Sequence, residues 1–288
     1  MIAELRERSA PDSRLNRRWR NRVTIGSVAE RSLLPGIVRA VIRSLGFALA
    51  LALAAADYAR AFFLECRLLT LPRRALWLQR WSRIIARLIG LRLHQHGTPP
   101  NSGMIVSNHL SYLDIIAYSA LVPCVFVAKK EVASWPILGL FAQMAGTIFV
   151  DRTRRMQLAD TNLQIAKALH AGTVVVLFPE GTSSDGRTVL PFRSSLLEPA
   201  TVSQCPVAPA AIGYHLDDGS VPDEVCYWRD MTLLPHLLNL FAKRTVRAQV
   251  AFGIGETGAL PSSRKDAARQ LHHHVARLLR EHRREMGA

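Results

Sequence analysis

Acidic residues are scarce in this chain: 22 Asp and Glu stand against 37 Lys and Arg in 288 residues, leaving a formal net charge of +15. The basic residues are overwhelmingly arginine, whose guanidinium fork matches phosphate oxygens in pairs. An excess of this sign points to an anionic partner, either nucleic acid or the anionic face of a membrane. Helix-turn-helix, RNA-recognition and zinc-finger patterns are missing, which argues against nucleic acid and favours the membrane. Cysteine is rare as well. Cys66, Cys124, Cys205 and Cys226 form no C-x-x-C pair, so their scatter suits reduced thiols in a cytosolic setting better than a disulfide framework. A long apolar run is also lacking. Between residues 33 and 69 the longest uncharged stretch is Ser44 to Ala56, 13 residues or about 20 Å of helix. A bilayer crossing needs roughly 20 apolar residues.

What remains suits one sizeable α/β domain with a terminal extension. Hydrophobic residues make up 49% and the mean hydropathy is +0.11, apolar for a soluble protein and too low for several spans. Residues 1–32 form a polar, arginine-rich arm with no apolar period, expected to be disordered. Residues 33–90 are expected to be membrane-associated helices. Arg39 and Arg43 precede the apolar stretch and Arg60 and Arg67 follow it, so the charge bias sets no orientation. A helix or helical hairpin lying in the interface fits best, with a single tilted span through 44–64 as the alternative. Ala54-Ala55-Ala56 would suit signal-peptide cleavage, but the basic lead is too long for one. A second helix, 73–89, sets Trp77 and Trp81 four apart among Arg73, Arg74, Arg80, Arg83 and Arg87. It reads equally as a membrane-surface helix or as an amphipathic helix packed on the domain.

From residue 91 to 288 short apolar runs alternate with helical stretches. Candidate strands are 104–107, 124–128, 146–150, 173–178, 206–212 and 246–252. Candidate helices are 112–121, 132–144, 154–171, 193–203, 233–242 and 263–284. Such alternation predicts an α/β fold with a mixed, largely parallel sheet flanked by helices.

Four blocks carry the chemistry. Asn108-His109-Leu110-Ser111-Tyr112-Leu113-Asp114 places a histidine five residues before an aspartate, just after the apolar run 104–106. Histidine suits general-base work near neutral pH, and a carboxylate on one ring nitrogen holds the ring and stabilises the imidazolium. Five residues is awkward on one helix face but workable across a strand-to-helix turn. Ser111-x-x-Asp114 also reads as a helix capping box. Gly146-Thr147-Ile148-Phe149-Val150-Asp151-Arg152 places Arg152 at a strand end, where ligands bind in open α/β sheets, or in an ion pair with Asp151. Phe178-Pro179-Glu180-Gly181-Thr182 ends an apolar strand on a carboxylate and a glycine whose N–H could face a ligand, or simply on a turn. Val207 to Ile212, with Pro209 inside, reads as an apolar wall. His272-His273-His274 lie consecutively on a helix, point in different directions, and read as a solvated stretch rather than a metal site.

Taken in order, N-H-x4-D, G-x-x-F-x-x-R, F-P-E-G-T and the Pro-bearing strand closely resemble the glycerolipid acyltransferases, over roughly residues 90–255. Within them the chain looks like the lysophosphatidate (1-acyl-glycerol-3-phosphate) acyltransferase family. The stretches Phe126-Val127-Ala128-Lys129-Lys130-Glu131 and Trp135-Pro136-Ile137-Leu138-Gly139 share that resemblance. It implies an acyltransferase domain over 91–288 that moves an acyl group from acyl-coenzyme A or acyl carrier protein to a lipid hydroxyl, most simply of lysophosphatidate. By the match His109 is the base and Asp114 its orienting carboxylate. Asn108, Arg152, Glu180, Gly181 and Thr182 contact substrate, and backbone N–H groups near Gly181 face the developing oxyanion. No metal and no cofactor beyond the donor thioester is implied. The expected place is the cytoplasmic face of the inner membrane, because thioester donors are cytosolic. The family often carries Arg after F-P-E-G-T, where this chain has Ser183. That substitution opens the acceptor to other lyso-lipids, such as lyso-ornithine lipid, with Arg187 or Arg193 as replacement phosphate contacts. The segment from Tyr227 to Phe241 reads either as core or as a contact for the acyl chain. Thioester hydrolysis and a catalytically inactive membrane-binding protein are the rival functions.

Overall fold

A computed structural model describes residues 29–64, 69–151, 155–203, 205–253 and 260–285. The basic arm through residue 28, Cys66 and Arg152 fall outside them. The elements run α1 (Ala29–Leu64), α2 (Leu71–Ile89), β1 (Leu91–His96), β2 (Met104–Ser107), α3 (Leu113–Leu121), β3 (Cys124–Lys129), α4 (Leu138–Met144) and β4 (Ile148–Val150). There follow α5 (Arg155–His170), β5 (Val174–Leu177), α6 (Glu198–Ser203), β6 (Val207–Leu216), α7 (Val221–Glu224), α8 (Leu233–Ala242), β7 (Val246–Phe252) and α9 (Arg264–Glu285).

The strands form one seven-stranded sheet in the order β1-β7-β6-β2-β5-β3-β4. Every pair is parallel except β6 with β7, so β1 and β7 run against the other five. The sheet is therefore mixed and largely parallel, as expected. β2 and β5 are buried at every position and occupy its centre. Their unbroken apolar runs are what a strand covered on both faces requires. Alternate residues feed two cores. Ile105, Phe126, Val176, Ile212 and Val250 pack with α2, α3, α8 and the inner side of α1. Met104, Val106, Val125, Val175 and Leu177 pack under α5, α6 and α9.

Ten of the predicted helices and strands match to within two residues at each end, and the mismatches have local causes. Residues 132–144 are not one helix: a 3-10 turn over Lys130–Ser134 precedes α4. Pro136 cannot donate into a helix, and a Cβ at Gly139 would sit 2.4 Å from the Ala133 carbonyl. Residues 193–203 split in the same way into a 3-10 turn at Ser194–Leu196 and α6, whose second residue, Pro199, suits a first turn. β1 was not anticipated: it is an exposed, polar edge strand with an apolar residue only at alternate positions.

Helix α1 is a single helix of 36 residues, not a hairpin. Asp57 and Arg60 do not interrupt it because Asp57 accepts from Trp81 Nε1 at 3.0 Å and pairs with Arg60 and Arg80. Its segment Leu34–Leu64 is long and apolar enough to cross a membrane by length and composition. The α2 tryptophans point inward, Trp77 to the Ala54 carbonyl and Trp81 into the core, so α2 is an amphipathic helix packed on the domain. Arg39 and Arg43 likewise bind carbonyls at the end of α8, those of Phe241, Ala242, Lys243 and Arg244. Phe47 meets Phe241 edge-on at 5.5 Å, which closes the α1–α8 seam. Phe241→Ala is expected to lower unfolding stability by about 3–5 kcal/mol, read by denaturant unfolding in detergent.

Candidate active site

The chain leaves β2 at its carboxyl end and turns into α3 through residues 108–112, and that turn carries the histidine. Asn108 is buried. Its side-chain amide donates to the Ile212 carbonyl at 3.0 Å and its Oδ1 accepts from Ile212 N at 2.9 Å. A side chain thus extends the β2–β6 ladder by one rung. This work is internal to the protein and differs from the substrate contact expected of Asn108.

His109 is 23% exposed and its Nδ1 lies 2.7 Å from Oδ2 of Asp114, which is 0% exposed. The same oxygen accepts from Leu110 N at 2.7 Å and Ser111 N at 3.2 Å, while Oδ1 accepts from Tyr214 at 2.5 Å. A carboxyl group taking two backbone N–H bonds and a phenol is an acceptor throughout, so Nδ1 of His109 carries the proton. That tautomer leaves Nε2 with its lone pair, and Nε2 has no hydrogen bond among the described residues. The imidazole is held flat against Phe178, with ring centroids 4.3 Å apart and 15° between planes. Half of the capping box forms too: Asp114 takes the Ser111 N–H, but the buried Ser111 hydroxyl has no partner among the described residues. The aspartate therefore serves both the helix start and the histidine.

The loop after β5 clamps this turn. Glu180 is 3% exposed, and its Oε1 accepts from His109 N at 3.1 Å. Ser184 N donates to the His109 carbonyl at 3.0 Å. Gly181 adopts a φ of +75° and spends its N–H on the Phe178 carbonyl at 3.1 Å, so that N–H closes the turn rather than facing outward. Thr182 is exposed on the loop. Ser183 donates its hydroxyl to the Tyr227 carbonyl, tying the loop to the segment before α8. Arg187 is 80% exposed and paired with Asp185, whereas Arg193 lines a cavity of about 160 Å³ with Val150, Phe178 and Pro179. Phe178 also packs on the His109 ring, but Val150, Leu158 and Leu196 set the rest of this cavity among the residues under α5 and α6. A second groove of about 520 Å³, between α9 and residues 191–194, contains none of these residues.

Other expected features resolve differently. The Val207–Ile212 segment is more than a wall, because Ile212 pairs with Asn108, and Tyr214, which sequence reasoning missed, reaches Asp114. No spacing rule links residues 114 and 214. The Tyr227–Phe241 segment is divided: His236, Leu240 and Phe241 are buried, while Leu234 and Leu238 face out. His272 approaches the Val189 carbonyl at 3.2 Å and meets Phe192 edge-on, so it packs against the domain rather than standing in solvent.

Burial pushes the Glu180 carboxyl up to about 8, against hydrogen bonds from His109 and Leu190 that favour its charge. Its Oε2 is buried without a partner among the described residues. Between about 4.5, the ordinary value, and about 8, the unfolded chain releases this proton while the folded chain keeps it. Stability therefore falls as pH rises through that window. Glu180→Gln is expected to flatten this part of the stability–pH curve, measured by thermal unfolding from pH 4 to 9. An unchanged slope would show that the group is ionised when buried.

The family model for the acyltransferases matches residues 91–213. The lyso-ornithine lipid O-acyltransferase of Brucella abortus is 36% identical over 213 residues, covering 69% of this chain and 80% of that protein. Its counterpart in Rhizobium meliloti is 34% identical, covering 72% and 76%. The 1-acyl-sn-glycerol-3-phosphate acyltransferase of Neisseria gonorrhoeae is 35% identical over a shorter stretch, 46% of this chain and 56% of that one. The crystal structure of the 1-acyl-sn-glycerophosphate acyltransferase from Thermotoga maritima shares the fold, with a TM-score of 0.65 at 16% identity over 88% of this chain and 98% of that one. A histidine held by a buried carboxylate at the end of a central strand is in keeping with those likenesses: the chain belongs to the lysophospholipid acyltransferase family and is an acyltransferase.

Proposed function

We propose that the enzyme acylates the free hydroxyl of a lyso-lipid, with lyso-ornithine lipid as the acceptor. The observation that carries the chemistry is the His109–Asp114 pair, with Nδ1 protonated and Nε2 open. Nε2 takes the proton of the acceptor hydroxyl as its oxygen attacks the thioester carbonyl of acyl-coenzyme A or acyl carrier protein. The tetrahedral intermediate collapses, the C–S bond breaks, and the imidazolium returns the proton to the departing thiolate. The thioester is already activated, so neither a metal nor a redox cofactor has a step to perform. Asp114 stabilises the transient imidazolium across 2.7 Å. Arg152, which lies outside the described residues, and Arg193 are the cations assigned to the acceptor's head group. Glu180, Gly181 and Thr182 act by shaping the loop around His109.

Two observations support the ornithine lipid. The position after F-P-E-G-T holds Ser183, whose hydroxyl is occupied by Tyr227, so that position offers no cation to a phosphomonoester. The lyso-ornithine lipid enzymes of Brucella and Rhizobium match over more than two thirds of their own length. Lysophosphatidate is the second reading, favoured by the Neisseria relative and by the intact G-x-x-F-x-x-R segment. Water as the acceptor, which would make the enzyme a thioester hydrolase, gives the lipid-facing helices no task. A membrane-binding protein without activity would have no need of the tautomer-fixing contacts around His109.

The membrane contact is assigned to α1, lying flat. Leu34, Ile37, Val38, Val41, Ile42, Leu45, Leu49 and Leu53 are exposed along one face, and the opposite face is packed on α2 and α8. On α8, Leu234 and Leu238 are exposed as well. A helix glued along its length to a globular domain suits monotopic binding at the cytoplasmic leaflet better than a crossing.

Membranes containing wild type or His109→Ala, supplied with labelled acyl donor and each lyso-lipid separately, test the chemistry and the acceptor together. The expected result is loss of transfer by about 10²-fold or more in the variant, and product from lyso-ornithine lipid in preference to lysophosphatidate. Transfer that survives in His109→Ala overturns the base assignment, and a preference for lysophosphatidate replaces the acceptor. The triple substitution Leu45→Ser, Leu49→Ser and Leu53→Ser is expected to lower co-flotation with anionic vesicles about tenfold or more, since each exposed leucine withheld from lipid forfeits part of its transfer energy.

A further inference from the structure

Asp114 is a carboxylate with no access to water, and its two oxygens are served very unequally. Oδ2 meets His109 Nδ1, Leu110 N and Ser111 N, all within five residues of it in sequence. Oδ1 meets the hydroxyl of Tyr214 at 2.5 Å, across 100 residues of sequence. Tyr214 stands on β6 two residues beyond Ile212, so it shares that strand's inward face, and its ring packs in the core with Leu113, Tyr118 and Phe178. The strand that pairs with Asn108 therefore also delivers the phenol. Tyr214 does not approach the open edge of His109; it lies behind the carboxylate.

This placement has two physical consequences. A carboxylate pinned at one oxygen can still rotate about its Cβ–Cγ bond, and a donor on the second oxygen stops that rotation. A strong donor on Oδ1 also draws negative charge away from Oδ2 and so moderates the pull of Asp114 on the imidazolium. We propose that Tyr214 is a positioning residue of the acyl transfer: its hydroxyl, bonded to Asp114 Oδ1, holds the carboxylate in the plane that aims His109 Nε2 at the acceptor and tunes how tightly His109 keeps its proton. The proposal rests on the reading of His109 as the general base.

The other titratable groups around the carboxylate are Tyr118 on α3, Cys226 before α8, and Glu180 on the loop after β5. Burial raises the Tyr118 hydroxyl far above its ordinary value, and burial together with the Asp114 charge does the same for Tyr214. Both phenols therefore stay protonated over the working range. Glu180 is retained in every variant, and its contribution cancels between enzymes that share the same residue at 114, since the Asp114 charge is one cause of its raised value.

The test measures kcat and KM for the lyso-lipid against pH in wild type, Tyr214→Phe, Asp114→Asn, the double variant, and enzyme with 3-fluorotyrosine introduced at position 214. Tyr214→Phe is expected to lower kcat about 10- to 100-fold, the usual cost of removing a partner that orients a working imidazole. KM should stay within about twofold, because the lipid does not touch the phenol. The acid limb of the profile should move to higher pH in Tyr214→Phe and to lower pH with the fluorinated, stronger donor. In the Asp114→Asn background the Phe substitution should cost less than about twofold, because the group it acts through is gone. Equal losses in both backgrounds, a wild-type kcat in Tyr214→Phe, or limbs that do not separate in these directions each overturn the proposal. If Tyr214→Phe does not fold, the fluorinated enzyme, which keeps shape and hydroxyl, decides by its limb alone. His109→Ala with wild-type activity overturns the base reading itself. His109→Ala inactive beside an unaffected Tyr214→Phe overturns only the role of Tyr214.

Discussion

A carboxylate with no solvent access is the constraint around which this molecule is organised. An isolated ion buried in this way costs several kcal/mol or more unless partners replace its water. Asp114 takes four: the His109 ring, two consecutive backbone N–H groups and the Tyr214 phenol. Each comes with a structural demand. The two N–H groups require the chain to turn sharply between β2 and α3, the ring must fold back over its own turn, and β6 must lie beside β2 in one register. Asn108 enforces that register by hydrogen bonding both backbone groups of Ile212. The His109–Asp114 arrangement and the central strand pairing are thus one set of contacts.

The F-P-E-G-T loop is the second layer of this organisation. Glu180 and Ser184 hold the histidine from its amide and carbonyl sides, and Phe178 supports the ring face. A glutamate in an enzyme motif invites a role toward substrate, but here its nearest partner is a backbone N–H. Burial raises its pKa to about 8, which keeps the carboxyl neutral below that pH. Ser183 spends its hydroxyl within the protein, on the Tyr227 carbonyl.

The parts of this structure legible in the sequence share one property: their signals are local. β2 and β5 announce themselves by short apolar runs, and His109 with Asp114 by a five-residue spacing. The parts that were not legible are set by distant partners or by backbone geometry. β1 is an edge strand that buries little and so leaves a weak pattern. The inward turn of Trp77 and Trp81 depends on Ala54 and Asp57 from another helix. The continuity of α1 through Asp57 depends on the same indole and two arginines. Tyr214 sits in an apolar run that reads as core and discloses its role only when β6 is laid beside β2. Asn108 and Gly181 look like substrate contacts by motif, but the structure shows both engaged with the protein's own backbone.

The Asn108 side chain and the Ile212 backbone lie 104 residues apart, and that separation governs when the enzyme comes into being. During synthesis α1 and the histidine turn leave the ribosome long before β6 does. Closing a loop of that length is slow compared with forming the local α1–α2 and α2–α3 contacts. The nascent chain consequently carries α1 while Asp114 still lacks the Tyr214 phenol and Asn108 still lacks Ile212. The helical layer of α1, α2 and α3 can therefore assemble before the histidine turn acquires its partners on β6.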